Sequence, residues 1–268
     1  MPDRVPARRW RAAWAGIALF PLVAFGLSSC GHPSALPVFP PCHATAGTES
    51  FGLDTDQAAN ATTIAAVGQR LGLPDHAVTV ALATALQESK LYNLPYGDLD
   101  SLGLFQQRPS EGWGTPAEIM TPRYAAAVFY LHLEKVAGWQ NLPVTIAAQA
   151  VQRSADPEAY AQWEEEARVL AQALTGELPA AFSCQIPGKP APPTPATVIA
   201  ADLSADLGST TLSGPLVPTR GWQVAGWLIG HASQYGVTMV TINGQRWTAH
   251  SGKWSEHAPV SEILEVGQ

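Results

Sequence analysis

Two proline-rich stretches, Leu36-Pro37-Val38-Phe39-Pro40-Pro41 and Pro187-Gly188-Lys189-Pro190-Ala191-Pro192-Pro193, break this chain into blocks. Proline lacks a backbone N–H and has a fixed φ, so neither stretch continues a helix or enters the middle of a sheet. Each reads as an extended connector. They leave a leading segment 1–30, a spacer 31–54, a main block 55–184, a linker 185–215 and a C-terminal block 216–268, with no internal repeat. With 46% hydrophobic and 14% charged residues the chain has ample material for a packed core. A formal net charge of −7 repels nucleic acid, so no nucleic-acid partner is expected.

Residues 1–30 read as an export signal. Arg4, Arg8, Arg9 and Arg11 are followed by an uncharged apolar run from Ala12 to Leu27. The run is short for a spanning helix, which needs about 20 apolar residues. It is longer than the usual signal core of about 7–15. It ends in Leu27-Ser28-Ser29-Cys30-Gly31, which resembles a bacterial lipobox with Cys30 as the lipidated residue. The alternative is an uncleaved signal anchor. Either one tethers the chain to the outer face of the cell membrane, because the arginines favour the inside.

Cys42 and Cys184 then remain, bracketing the main block. Outside the cytosol a disulfide is their simplest fate, two free buried thiols being the alternative. No cysteine or histidine cluster has zinc spacing, so neither a structural metal nor a cofactor is expected.

The main block carries helical periodicity throughout. Asp54, Thr55 and Asp56 are cap choices for a helix reaching Leu71, and Asp75 is the expected cap of the next, with Val78, Leu82, Ala85 and Leu86 on one face. Thr115-Pro116 and Thr121-Pro122 each pair a cap with proline at the first helical position. The second opens a helix with an expected inner stripe of Tyr124, Val128, Leu131 and Val136. Pro143 starts a short helix. Asp156-Pro157 is expected to start the last, with Tyr160, Trp163, Ala167, Leu170 and Leu174 inward. The C-terminal block predicts a helix over 221–234, with Val224, Trp227, Leu228 and His231 on one stripe. Two strands around Asn243-Gly244, a type I′ hairpin signal, follow it. The fold class is therefore mainly α, with a small α-β-β C-terminal module. In that module Trp222, Trp227 and Trp247 supply the core, while His231 and Trp254 suit either packing or a ligand.

Glu88 ends the second helix in Ala85-Leu86-Gln87-Glu88-Ser89. A helix C-terminus opposes a carboxylate, and the small stripe Ala77, Ala81, Thr84 lets a neighbour approach and bury it. Both effects favour a protonated acid, the form that glycosidic cleavage needs; the plain alternative is a solvated helix-end glutamate. The long loop from Lys90 to Trp113 follows, rich in Gly, Pro, Asp and Ser, and long loops in compact domains are usually functional.

Glu88-Ser89, the run Asp100-Ser101-Leu102-Gly103-Leu104-Phe105-Gln106-Gln107-Arg108-Pro109-Ser110 and Gly112-Trp113-Gly114 resemble the lysozyme-like superfamily. They are most similar to the lytic transglycosylase (SLT-type) domain of exported actinobacterial proteins, whose signature is Glu-Ser followed by Gly-Leu-Met-Gln. The resemblance covers residues 57–175 and implies a lysozyme-like helical fold acting on peptidoglycan glycan strands. It implies Glu88 as catalytic acid and base, with Ser89, Gly103, Phe105, Gln106, Gln107 and Trp113 about the substrate. It departs from the family where Tyr-Asn-Ala-Gly is usual: Val151-Gln152-Arg153-Ser154 stands there. Gln152 could replace the asparagine amide, and Tyr160 could supply a ring or hydroxyl.

A hydrolase needs a second carboxylate, for which Asp98 and Asp100 are candidates. A transglycosylase does without one, and both aspartates also suit turns. Three readings follow: a lytic transglycosylase or muramidase-like glycosidase, an inactive envelope protein with a glycan-binding cleft, and a C-terminal module that docks a protein or the cell wall.

Overall fold

The computed structural model describes residues 40–268 apart from 155, 157, 187, 189, 190, 210, 211 and 258–262. The export signal with Cys30, and the spacer as far as residue 39, lie outside the described residues. The order of elements is β1 (Cys42–Ala46), β2 (Glu49–Leu53), α1 (Thr55–Arg70), α2 (Asp75–Ser89), α3 (Pro116–Ile119), α4 (Pro122–Leu133), α5 (Val144–Gln152), α6 (Glu164–Leu174) and β3 (Phe182–Cys184). Then come α7 (Ala196–Leu207), β4 (Gly214–Pro215), α8 (Pro218–Gly230), α9 (Ala232–Tyr235), β5 (Met239–Ile242), β6 (Gln245–Thr248), β7 (Lys253–Glu256) and β8 (Ile263–Gly267). The chain is mainly α, with two small antiparallel sheets ordered β2-β1-β3 and β4-β8-β5-β6-β7.

Helix α1 is the hub. Asp54 caps it, accepting from Asp56 N and Gln57 N at 2.9 Å each, while Gln57 Oε1 accepts from Asp54 N at 2.9 Å. This reciprocal box satisfies donors that the first turn leaves orphaned. Its small residues Ala58, Ala61, Ala65 and Ala66 are all buried, which lets α2, α4, α7 and α8 close on it from several sides. Helix α2 runs buried against α5 and α6, and its stripe Ala77, Ala81 and Thr84 is fully buried. Its N-cap is Pro74 rather than Asp75, which lies one residue inside, in the first turn.

The inner stripe of α4 differs from the expected one. Ala125, Ala126, Phe129, Tyr130 and Leu133 are buried, whereas Leu131 is 49% exposed. The two adjacent aromatic rings set the rotation: Phe129 stacks on Phe105, and Tyr130 Oη reaches Ile64 O at 2.9 Å. Asp156-Pro157 does not open α6, which begins at Glu164 after a short 3-10 turn over Ala161–Trp163.

The spacer and the linker both hold structure. β1 and β2 form a hairpin inside the expected spacer, and α7 lies inside the expected linker. β3 pairs with β1 so that Cys42 stands opposite Cys184, and the two form a disulfide across 142 positions. Closing so long a loop restricts the unfolded chain by about 5 kcal/mol in the chain-entropy account.

The C-terminal block is richer than α-β-β, with α8, α9 and a five-stranded sheet that β4 joins at its edge. It packs on the helical body through α8 against α1 and α6. Trp227 and Trp247 are fully buried; Trp247 Nε1 donates to Cys184 O at 3.0 Å and Trp254 Nε1 to Phe182 O at 2.9 Å. A polar seam runs beside α8. Asp206 of α7, 3% exposed, accepts from Trp227 Nε1 at 2.9 Å, from Thr63 Oγ1 at 3.5 Å and from Arg123 Nε of α4. Tyr235 Oη donates to Asp202 at 2.8 Å, and buried His231 lies 3.3 Å from Thr63 Oγ1. Burial holds that histidine below its usual pKa, in the neutral form.

Candidate active site

Helix α2 stops at a left-handed pair, Lys90 at φ 56° and Leu91 at φ 64°, which throws the chain into the long loop before α3. The loop is closed on itself by two bonds between Leu102 and Gln107, each 3.0 Å, and by Gly103 N to Leu94 O at 2.8 Å. Ser89 fastens it to the helix: its buried hydroxyl bridges Ala85 O at 3.1 Å and Leu104 O at 2.8 Å. Ser89 thus fastens the loop to α2 and is 5% exposed. Gly103 has φ +76°, and a Cβ there would lie 2.8 Å from Ile119 O. Glycine is required at this point for packing against α3.

Glu88 opens into a cleft of about 940 Å³. One lip is the loop, with Asp98, Leu99, Gln106 and Gln107; the other is the region after α4 and α5, with Lys135, Val136, Gln152 and Arg153. The carboxyl is partly buried. Tyr160 Oη donates to Glu88 Oε1 at 2.7 Å, and Gln152 contributes a further side-chain hydrogen bond. Burial pushes the Glu88 pKa up, opposed by the Tyr160 and Gln152 hydrogen bonds and by the charge of Lys90. The net shift is upward, toward a carboxyl that keeps its proton. Gln152 also ties the two lips together, donating from Nε2 to Phe105 O at 2.8 Å.

Lys90 sits behind the acid, 3.9 Å from the Trp163 ring centroid, with Nζ donating to Leu86 O at 3.1 Å. Trp163 in turn donates to Gln87 Oε1 at 2.7 Å, so the last turn of α2 is held from the α6 side.

The other expected site residues divide. Phe105 is fully buried, with its ring 4.7 Å from Phe129, and belongs to the core. Gln106 faces the cleft at φ 47°, its amide donating to Tyr96 O at 3.3 Å and Gly103 O at 3.2 Å. Gln107 is 1% exposed and donates to Ala125 O at 3.0 Å; its Oε1 has no partner among the described residues. Trp113 lines the cleft with its ring 4.1 Å from His132. Asp98 also lines it, while its carbonyl accepts Ser101 N in a turn. Asp100 is engaged by Arg108 Nε and Ser110 N, each at 2.8 Å, and by Ser110 Oγ at 3.0 Å; the Arg108 bond first, then Ser110, bring its pKa down to about 2. Asp100 is a loop clamp. The residues that sequence reasoning left without a role are Arg108, His132, Lys135 and Arg153, all in the cleft wall. Arg153 stood beside the recognised Gln152, but nothing in its spacing marked its direction.

Matched against models of protein families, the chain meets none, and none of the curated proteins matches it.

Proposed function

We propose that the protein is a lytic transglycosylase-type glycosidase that cleaves β-1,4-linked peptidoglycan strands, with Glu88 as its single acid and base. The observation that carries this reading is a carboxyl held partly buried in a large cleft, biased toward its protonated form, and oriented by Tyr160 and Gln152. The lysozyme-like motifs around it support the same reading. Glu88 would donate its proton to the glycosidic oxygen as the C1–O bond breaks. The resulting carboxylate would then take the proton of the sugar's own C6 hydroxyl as that oxygen bonds to C1, closing an anhydro ring. No second carboxylate is consumed, which suits a site where Asp100 is committed to Arg108 and Ser110. Tyr160 contributes the hydroxyl that the altered Val151–Ser154 stretch lacks. The proposed tether at residues 1–30 would hold this cleft at the outer face of the membrane, within reach of the wall.

Asp98 in the cleft favours one competitor, a hydrolase in which it would be the second carboxylate. Digestion of purified peptidoglycan by the full-length protein in detergent, with products read by mass spectrometry, separates them. Anhydro ends support the transglycosylase, and new reducing ends support hydrolysis with Asp98. Glu88→Gln is expected to lower release by about 10³-fold. If folded wild type releases nothing from several wall types, catalysis is rejected and a glycan-binding role takes its place.

A further inference from the structure

The cleft carries charges that the reaction above does not use. Arg108 is occupied, paired with Asp100 at 2.8 Å and Glu111 at 3.2 Å. Lys135 and Arg153 enter no ion pair among the described residues, though both line the cleft. His132 lies between them electrostatically: burial first, and then the charges of Lys135 and Arg153, hold its pKa down, so it stays neutral beside two cations. The opposing acids in the wall are Glu88, biased toward its neutral form, Asp98 on the loop, and Glu111, which Arg108 engages.

Arg153 is unusual in its backbone as well. It caps α5 at φ 55° and ψ 39°, a left-handed conformation that glycine adopts freely and side-chain-bearing residues adopt at a cost. Leu99 at φ 55° and Gln106 at φ 47° share this conformation and also line the cleft, while Lys90, Leu91, Ala180 and Asn243 adopt it elsewhere. A helix C-terminus welcomes a cation, which accounts for a basic residue near this position. It does not account for an arginine where glycine would relieve the backbone. Retained strain with a side chain directed into a cleft points to a contact made by that side chain.

We propose that Arg153 and Lys135 form a carboxylate-binding subsite beside Glu88, selecting glycan strands that bear free carboxylates over neutral ones. This rests on the glycan reading above. Arg153 directly follows Gln152, which hydrogen-bonds Glu88, so a strand seated at the acid would bring its substituents past both cations. Guanidinium and ammonium are the side chains suited to a carboxylate. The carboxylate has two possible sources, the lactyl ether of a peptide-free muramic residue or the stem peptide of a substituted one.

The test uses full-length Glu88→Gln protein in detergent, so that ligands are bound but not turned over. Calorimetry compares a neutral N-acetylglucosamine hexamer with two alternating N-acetylglucosamine–N-acetylmuramic acid hexamers, one peptide-free and one carrying stem peptides. At least one carboxylate-bearing hexamer is expected to bind about tenfold tighter than the neutral one, and which of them does so identifies the source. Adding Arg153→Gly or Lys135→Met should bring that preference within about twofold of parity, while Arg153→Lys retains part of it. Arg153→Gly should at the same time raise the thermal midpoint by about 3 °C, separating lost contact from lost fold. Equal affinity for all three hexamers, or a preference that survives both substitutions, overturns the subsite and leaves the glycan reading standing. Failure to bind any of them removes the glycan reading and the subsite with it.

Discussion

Asp206 and Glu88 are both drawn in from solvent, and their surroundings differ in kind. Asp206, at the seam of α4, α7 and α8, is 3% exposed and meets a guanidinium, an indole N–H and a threonine hydroxyl. Every partner donates a hydrogen bond to it, from α1, α4 and α8, so the group serves as an anchor for the helices around α7. Glu88 is less deeply placed, yet its contacts are a neutral phenol and a neutral amide, with its cation, Lys90, acting only through space. Burial without a contacting counter-charge leaves a proton that can be given up and recovered. The contrast is between a carboxyl held by donors from several helices and one whose burial favours its proton.

The comparison breaks most visibly at Asp206. Asp206→Ala strips the Trp227 N–H and Arg123 of their acceptor and is expected to cost about 3 kcal/mol, a fall of roughly 10 °C in thermal midpoint. The figure sits at the low end for a broken buried pair because Arg123 retains Asp202 at 3.6 Å and is 35% exposed. The proposed glycan cleavage, per folded molecule, should be unchanged; a stability loss under about 1 kcal/mol would mean that the seam is dispensable.

Tyr160→Phe tests the other side. It removes the strongest interaction drawing the Glu88 pKa down, so the basic limb of the pH–rate profile should move to higher pH. The rate at its optimum should fall about tenfold, as for one hydrogen bond to a reacting group. A limb that moves to lower pH would contradict the described geometry.

The smallest effect concerns stability. A carboxyl whose pKa is raised by folding contributes fully when both folded and unfolded forms are protonated, and loses that contribution as pH rises toward the folded value. Glu88→Gln should therefore match wild type at about pH 4 and exceed it in midpoint at about pH 8, as denaturation scans would reveal. Asp206→Ala should be destabilising at both, and equal behaviour of the two variants would erase the distinction.

Much of this architecture is legible in the chain. Asp54 with Gln57, Thr115 with Glu118, and Asn243-Gly244 between paired strands announce local structure because each satisfies its own backbone through neighbours in sequence. Helix α7 is equally readable after the fact: Ile199, Leu203 and Leu207 recur at four-residue spacing, all buried, and Gly208 closes the helix at φ +74°. The prolines before it masked the signal. The hairpin β1–β2 was hidden because its pairing partner β3 lies far away in sequence, at residues 182–184. Of the candidate site, Glu88 and its loop stand out through the resemblance of their motifs, and Tyr160 only as a candidate ring or hydroxyl. Its contact with Glu88 depends on where the chain before α6 returns to α2, which the sequence does not show. The same is true of Arg153, whose importance lies in a backbone angle that residue type argues against.

The pairing of Cys42 with Cys184 also sets an order of events during synthesis. A chain made from its N-terminus presents Cys42 long before its partner exists, and the β2-β1-β3 sheet stays one strand short until residue 184 has emerged. Through that interval the sequence offers one other cysteine, Cys30, close upstream. A bond between those two would leave Cys184 without its partner. Any modification that occupies the Cys30 sulfur early would leave Cys42 with a single destination.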